Sequence, residues 1–100
     1  MNIVDSVKKE VTKIAPDSEV ILFGSRARGD FKEKSDWDFL ILLNKKKVSK
    51  SEKEKIRSKL YEIELMTDEV ISTIIHSRSE WEKRSVTPIY QIIEEEGKRA

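Results

Sequence analysis

The sequence predicts an α/β (α+β) fold, a small mixed β-sheet with covering helices. Two observations carry this. Apolar runs at Glu19–Phe23, Trp37–Leu43 and residues 70–75 read as strands. Between and around them, apolar residues recur at helical spacing. The 100 residues fit one domain, residues 1–100.

Ile3, Val4, Val7, Val11 and Ile14 give an amphipathic first helix, stopped by Pro16. Glu19–Phe23 is a β-branched apolar strand that ends at Gly24-Ser25. Residues 26–35 are polar and carry Gly29, so they form a turn or loop. Trp37–Leu43 is nearly continuously apolar, as in a strand covered on both faces. Asn44 and Lys45, Lys46 and Lys47 mark a solvated loop. Ser49 with Glu52, or Ser51 with Glu54, offers a capping box for a second long helix. That helix buries Ile56, Leu60 and Ile63 and exposes a charged face over residues 50–59. A third strand spans residues 70–75, and Ser77 or Ser79 caps a short turn through Trp81. Thr87-Pro88 opens a last helix with Ile89, Ile92 and Ile93 inward, and the tail from Gly97 is expected to fray.

Bulk composition excludes several classes. Apolar residues make up 37% and charged residues 39%, enough of each for a packed core under a polar surface. The net charge of +1 provides no global basic field and argues against nucleic acid as the partner. Without cysteine there is no disulfide or thiolate metal site. No run approaches the roughly 20 apolar residues of a membrane span, and the mixed-charge N-terminus is not a signal peptide. A cytoplasmic protein is the expectation.

The chemistry concentrates in residues 23–43, FGSRARGDFKEKSDWDFLILL. Asp36 and Asp38 lie two apart on a predicted strand, so both point to one face, about 7 Å apart along the chain. Alone, such a pair is most simply the wet start of a strand. Here the apolar run that follows makes the strand central, so the two anions repel and lose hydration. A cation relieves both problems, and Mg²⁺ suits few carboxylates completed by waters and phosphates. Gly24-Ser25 follows a strand directly; glycine lets a phosphate approach the backbone, and N–H groups with a hydroxyl bind its oxygens. Arg26 and Arg28 flank the same turn and suit phosphate.

Gly24-Ser25, ten intervening residues and Asp36-Trp37-Asp38 together resemble the signature of the DNA polymerase beta nucleotidyltransferase superfamily. GSRARG followed by SDWDFLI resembles its minimal nucleotidyltransferase branch. The resemblance implies Mg²⁺-dependent transfer of a nucleoside monophosphate, AMP from ATP being the expected case, to an acceptor hydroxyl. It further implies that Asp36 and Asp38 are catalytic and ligate metal. Gly24 and Ser25 would bind the triphosphate, with Arg26 and Arg28 beside them. In the minimal branch it implies a HEPN-type partner toxin, with this chain as antitoxin.

One departure stands out. Active relatives carry a third carboxylate on the later strand, and that position falls near Ser72. Asp68 shares its face but is about 13 Å away along an extended chain, and Glu69 lies on the other face. The alternative is therefore a catalytically weak module that acts by protein–protein interaction. A nucleic-acid binder using Lys45, Lys46, Lys47 and the arginines is a third, weaker reading. His76, the only histidine, has no partner acid or serine to make it a base; Trp81 and Tyr90 read as packing. Ile71, Thr73 and Ile75 are expected along a strand edge as a homodimer seam.

Overall fold

The computed structural model describes residues 2–100. Its elements are α1 (Ile3–Ile14), β1 (Glu19–Phe23), α2 (Ser25–Arg28), β2 (Trp37–Leu43), α3 (Lys50–Thr67), β3 (Ile71–Ser77), α4 (Arg78–Glu82), α5 (Pro88–Glu96) and β4 (Lys98–Arg99). The strands form one mixed sheet in the order β3-β2-β1-β4. β1 runs antiparallel to β2 and β4, and β3 runs parallel to β2 after the α3 crossover. The expected mixed α/β architecture is therefore present. Among the described residues, no helix is long and apolar enough to cross a membrane.

Strand alternation divides the core into two layers. Val20 and Leu22 of β1, Phe39, Ile41 and Leu43 of β2 and Ile75 of β3 pack under Val7 and Val11 of α1 and Ile56, Leu60 and Ile63 of α3. On the other face, Leu40 and Leu42 pack with Trp81 of α4 and Ile93 of α5, and Tyr90 stacks on Trp81. β2 is thus buried from both sides, as its unbroken apolar run requires.

Capping side chains set the helix boundaries. Ser49, not Ser51, heads α3, in a reciprocal capping box with Glu52. Ser77, not Ser79, does the same for α4 with Glu80. Thr87 caps α5, with Pro88 in its first turn. Lys45, Lys46 and Lys47 are exposed, and Lys45 pairs with Glu52.

Four expectations need correction. The tail from Gly97 is not frayed: Lys98 and Arg99 pair with Leu22 and Ile21, and Arg99 meets Glu19 at 2.7 Å. A two-residue strand is too short to show periodicity, and its charges suit a sheet edge. Residues 26–35 are not wholly loop, because Ser25–Arg28 make one helical turn. The third strand runs from Ile71 to Ser77, and Val70 stands outside it, exposed. Ile89 and Ile92 do not face inward: both are exposed, and Ile93 is the buried residue of α5. β3 is an edge strand, but Ile75 is buried and Ile71 packs against the α1–α3 layer.

Ser77 ties β3 to α4 and is fully buried. Its Oγ accepts from the Glu80 N–H at 3.1 Å, and its hydroxyl donates to the Lys46 carbonyl at 3.0 Å. Ser77→Ala removes both bonds and leaves buried groups unpaired. It should cost about 1–2 kcal/mol and lower the melting temperature by roughly 5–10 °C, read by circular dichroism. An unchanged midpoint would show that the cap is dispensable.

Candidate active site

β1 runs toward the site and β2 runs away from it. Their antiparallel register sets Phe23, the last residue of β1, opposite Asp38 near the start of β2. Gly24 and Ser25 therefore emerge beside the carboxylates, although ten residues separate Ser25 from Asp36 in sequence. Gly24 has φ 75° and ψ −159°, a conformation open to glycine and costly for other residues. It is also in close contact: a Cβ there would stand 2.4 Å from Asp38 Oδ2. Both facts require glycine. Ser25 opens α2, where the first N–H groups have no intrahelical partner.

Asp38 shares its sheet face with Leu40 and Leu42, and its neighbours across the sheet are Phe23 on β1 and Ser72 on β3. Asp36 precedes the strand, which begins at Trp37, and is exposed. α4 and α5 cover the Leu40–Leu42 part of this face, while Ser72 and Asp36 stay open to solvent. Burial pushes the Asp38 carboxyl above its ordinary range, and the Asp36 charge pushes it the same way; Arg28 pulls it down. A desolvated carboxylate beside a second one is poised to take a cation.

Residues 4–99 match the nucleotidyltransferase domain family. The chain belongs to that family. A protein of Methanocaldococcus jannaschii, named as a candidate protein adenylyltransferase, is 41% identical over 81 residues, spanning 79% of this chain and 81% of the relative. A crystal structure of a toxin–antitoxin with AMP-PNP contains a chain of similar fold. It has a TM-score of 0.67 and 18% identity, and the likeness covers 99% of this chain and 72% of that one.

The remaining site candidates of this nucleotidyltransferase domain fall into different places. Arg28 is exposed and bonded to Asp30 and to Glu96 of α5, both at 3.1 Å, so it bridges α2 to the last helix. Arg26 is engaged inside the loop: its guanidinium donates to the Glu33 and Ser35 carbonyls and lies against the rings of Phe31 and Trp37. Ser72 is the direct register partner of Asp38. Neither acid near Ser72 can replace it. Asp68 ends α3 in a left-handed conformation, outside the strand, and Glu69 accepts from Trp37 Nε1 at 3.3 Å. His76 stacks on Trp81 at 6.2 Å, two same-face positions beyond Ser72. The sequence reading missed Phe31 and the use of Glu69. A lone aromatic in a polar loop was the available signal.

Among the described residues, no cluster of three or more potential ligand side chains exists. Two carboxylates beside a glycine turn still fit Mg²⁺, which takes few protein ligands and keeps water and phosphate oxygens. The surface cleft lined by Ile14, Pro16, Leu43 and Glu52 lies at the far end of β2 from Asp38 and plays no part in this arrangement.

A carboxyl whose folded-state pKa is raised costs stability once ionised. That cost is absent in acid, where both states are protonated, and complete at neutral pH. Metal-free Asp38→Asn should therefore melt above wild type at pH 7. The gap should shrink as the pH falls toward about 4. Calorimetric midpoints across that range test this, and a variant less stable than wild type at pH 7 would refute it.

Proposed function

We propose that this nucleotidyltransferase domain transfers AMP from ATP to a hydroxyl on a partner protein, with Mg²⁺ held by Asp36 and Asp38. The observation that carries the reading is the close approach of the Gly24 backbone to Asp38, which sets the Gly24-Ser25 turn directly beside a carboxylate that burial and Asp36 disfavour as an ion. The name of the M. jannaschii relative supports a protein acceptor, and the toxin–antitoxin neighbour with an ATP analogue supports a paired protein.

Gly24 and Ser25 would receive the triphosphate through backbone N–H groups and the hydroxyl. Asp36 and Asp38 would hold the cation against it. A bound Mg²⁺ supplies charge neutralisation for the triphosphate and the departing pyrophosphate. The acceptor oxygen bonds to the α-phosphorus as the bond to the β-phosphate breaks, and the hydroxyl proton must leave. Few protein groups are needed, because positioning and charge dominate phosphoryl transfer.

Ser72 favours a second reading, a module that neutralises its partner by binding alone. Serine beside Asp38 is neither an anionic ligand nor a base. A double variant measured beside wild type separates the readings. Asp36→Ala/Asp38→Ala should abolish Mg²⁺-dependent binding of a non-hydrolysable ATP analogue in calorimetry. No binding by wild type would end the enzyme reading for the isolated chain.

Ser72→Asp places a third carboxylate in register with Asp38. It should lower the Mg²⁺ concentration for half-maximal analogue binding by about tenfold, one added anionic ligand being worth at least 1.4 kcal/mol. An unchanged requirement would show that position 72 does not border the cation.

A further inference from the structure

We infer that Arg26 is a positioning residue that holds Asp36 in place from the sheet face opposite the two carboxylates. Its importance to the reaction rests on the proposed function; the clamp itself rests on contacts alone.

Asp36 needs a support that the sheet does not supply. The β2 ladder begins at Trp37, and Asp36 hangs from its end. The preceding loop is polar, and Asp30, Lys32, Glu33 and Lys34 are all exposed. Against it, the Arg26 side chain of α2 is an exception, with only 8% of its surface accessible. Its Cζ lies 4.4 Å from the centroids of both the Phe31 and Trp37 rings. Nη2 donates to the Glu33 and Ser35 carbonyls at 3.1 Å each, and Nε donates to Ser35 at 3.4 Å.

Every second residue of the approach to β2 thus touches one guanidinium: 31, 33, 35 and 37. Strand alternation puts Asp38 on the face opposite Trp37, and the Asp36 charge acts on Asp38. Trp37 packs toward the α1–α3 layer, whereas Asp38 shares the face of Leu40 and Leu42. Arg26 therefore sits behind the carboxylates.

Glu69 closes the arrangement from the α3–β3 junction. Its carboxylate lies 3.9 Å from Arg26 Nη2 and accepts from Trp37 Nε1 at 3.3 Å. Beside it, the Val70 carbonyl accepts from the Trp37 N–H at 2.9 Å. Three chain segments (α2, the loop and the α3–β3 junction) meet on one planar cation. Lysine could keep the charge but not the plane or the fork of donors.

Arg26→Lys, Glu69→Ala and the double variant test this. Two quantities are read on each: the rate of tryptic cleavage after Lys32 and Lys34 in ligand-free protein, and the Mg²⁺ concentration for half-maximal AMP-PNP binding. Arg26→Lys should raise both about tenfold, since it removes charge-assisted bonds and two ring contacts. Glu69→Ala, which lies away from the carboxylate face, should raise both by a smaller factor. The double variant should be no worse than Arg26→Lys alone.

Unchanged cleavage in Arg26→Lys would overturn the clamp. So would a loss of AMP-PNP binding in Arg26→Lys with Glu69→Ala like wild type, because Arg26 would then contact the triphosphate directly. If wild type binds no AMP-PNP, the proposed function fails instead, and the ligand-free cleavage rates alone support or overturn the clamp.

Discussion

The contact between the Gly24 backbone and the Asp38 carboxylate is the constraint on which the rest of the site depends. It exists because the β1–β2 register sets Phe23 opposite Asp38. That register is fixed by burial. A slip of one residue would turn Ile21 and Phe23 toward the α1–α3 layer, in place of Val20 and Leu22. The same slip on β2 would drive Asp38 under α1 and α3, where an unpaired carboxylate is strongly disfavoured. Core packing and site geometry therefore have a single solution. The helices that never approach the carboxylates are the ones that place them.

The sheet separates chemistry from support. One face bears Asp38 and Ser72, left open where α4 and α5 end. The other bears Trp37, Arg26 and the α1–α3 core, which hold the strand and its approach. Tension is confined to the first face, where burial and Asp36 both work against ionised Asp38. A β2 strand buried from Phe39 to Leu43 and reciprocal caps on α3 and α4 offset that cost elsewhere. A destabilised carboxylate on a well-packed strand is the pattern expected where binding a ligand matters more than stability of the free chain.

Much of this was legible in the sequence, for identifiable reasons. The β2 run, the Ile56–Leu60–Ile63 stripe and the Ser77 cap are local signals, and a local signal survives reading one residue at a time. The position of Ser72 was legible from its place ahead of the Ser77–Trp81 segment, and the parallel register sets it beside Asp38. Arg26 was not. An arginine beside a Gly-Ser turn reads as a phosphate ligand, and only the return of Phe31 and Trp37 to its two sides gives it another task. β4 was invisible because its two residues pair with a strand more than seventy positions away. A dimer seam along β3 would rest on its backbone rather than on the side chains of Ile71 and Ile75. Alternate side chains such as Ile71 and Ile75 define a face, whereas an edge is defined by unpaired backbone.

The row Phe23, Asp38, Ser72 also bears on what must come from outside the chain. On the proposed reading, the acceptor hydroxyl loses a proton as its oxygen bonds to phosphorus, and two metal-holding carboxylates are poorly placed to take it. Ser72 cannot act as a base at neutral pH, His76 is two same-face positions further along β3, and Glu69 is engaged with Trp37 and Arg26 on the opposite side. The proton then passes to water or to a group carried by the acceptor. The open end of the face, with Ser72 and Asp36 exposed, leaves room for such a group. A protein acceptor can bring its own base, so on this reading the missing carboxylate favours a partner that helps to complete the site.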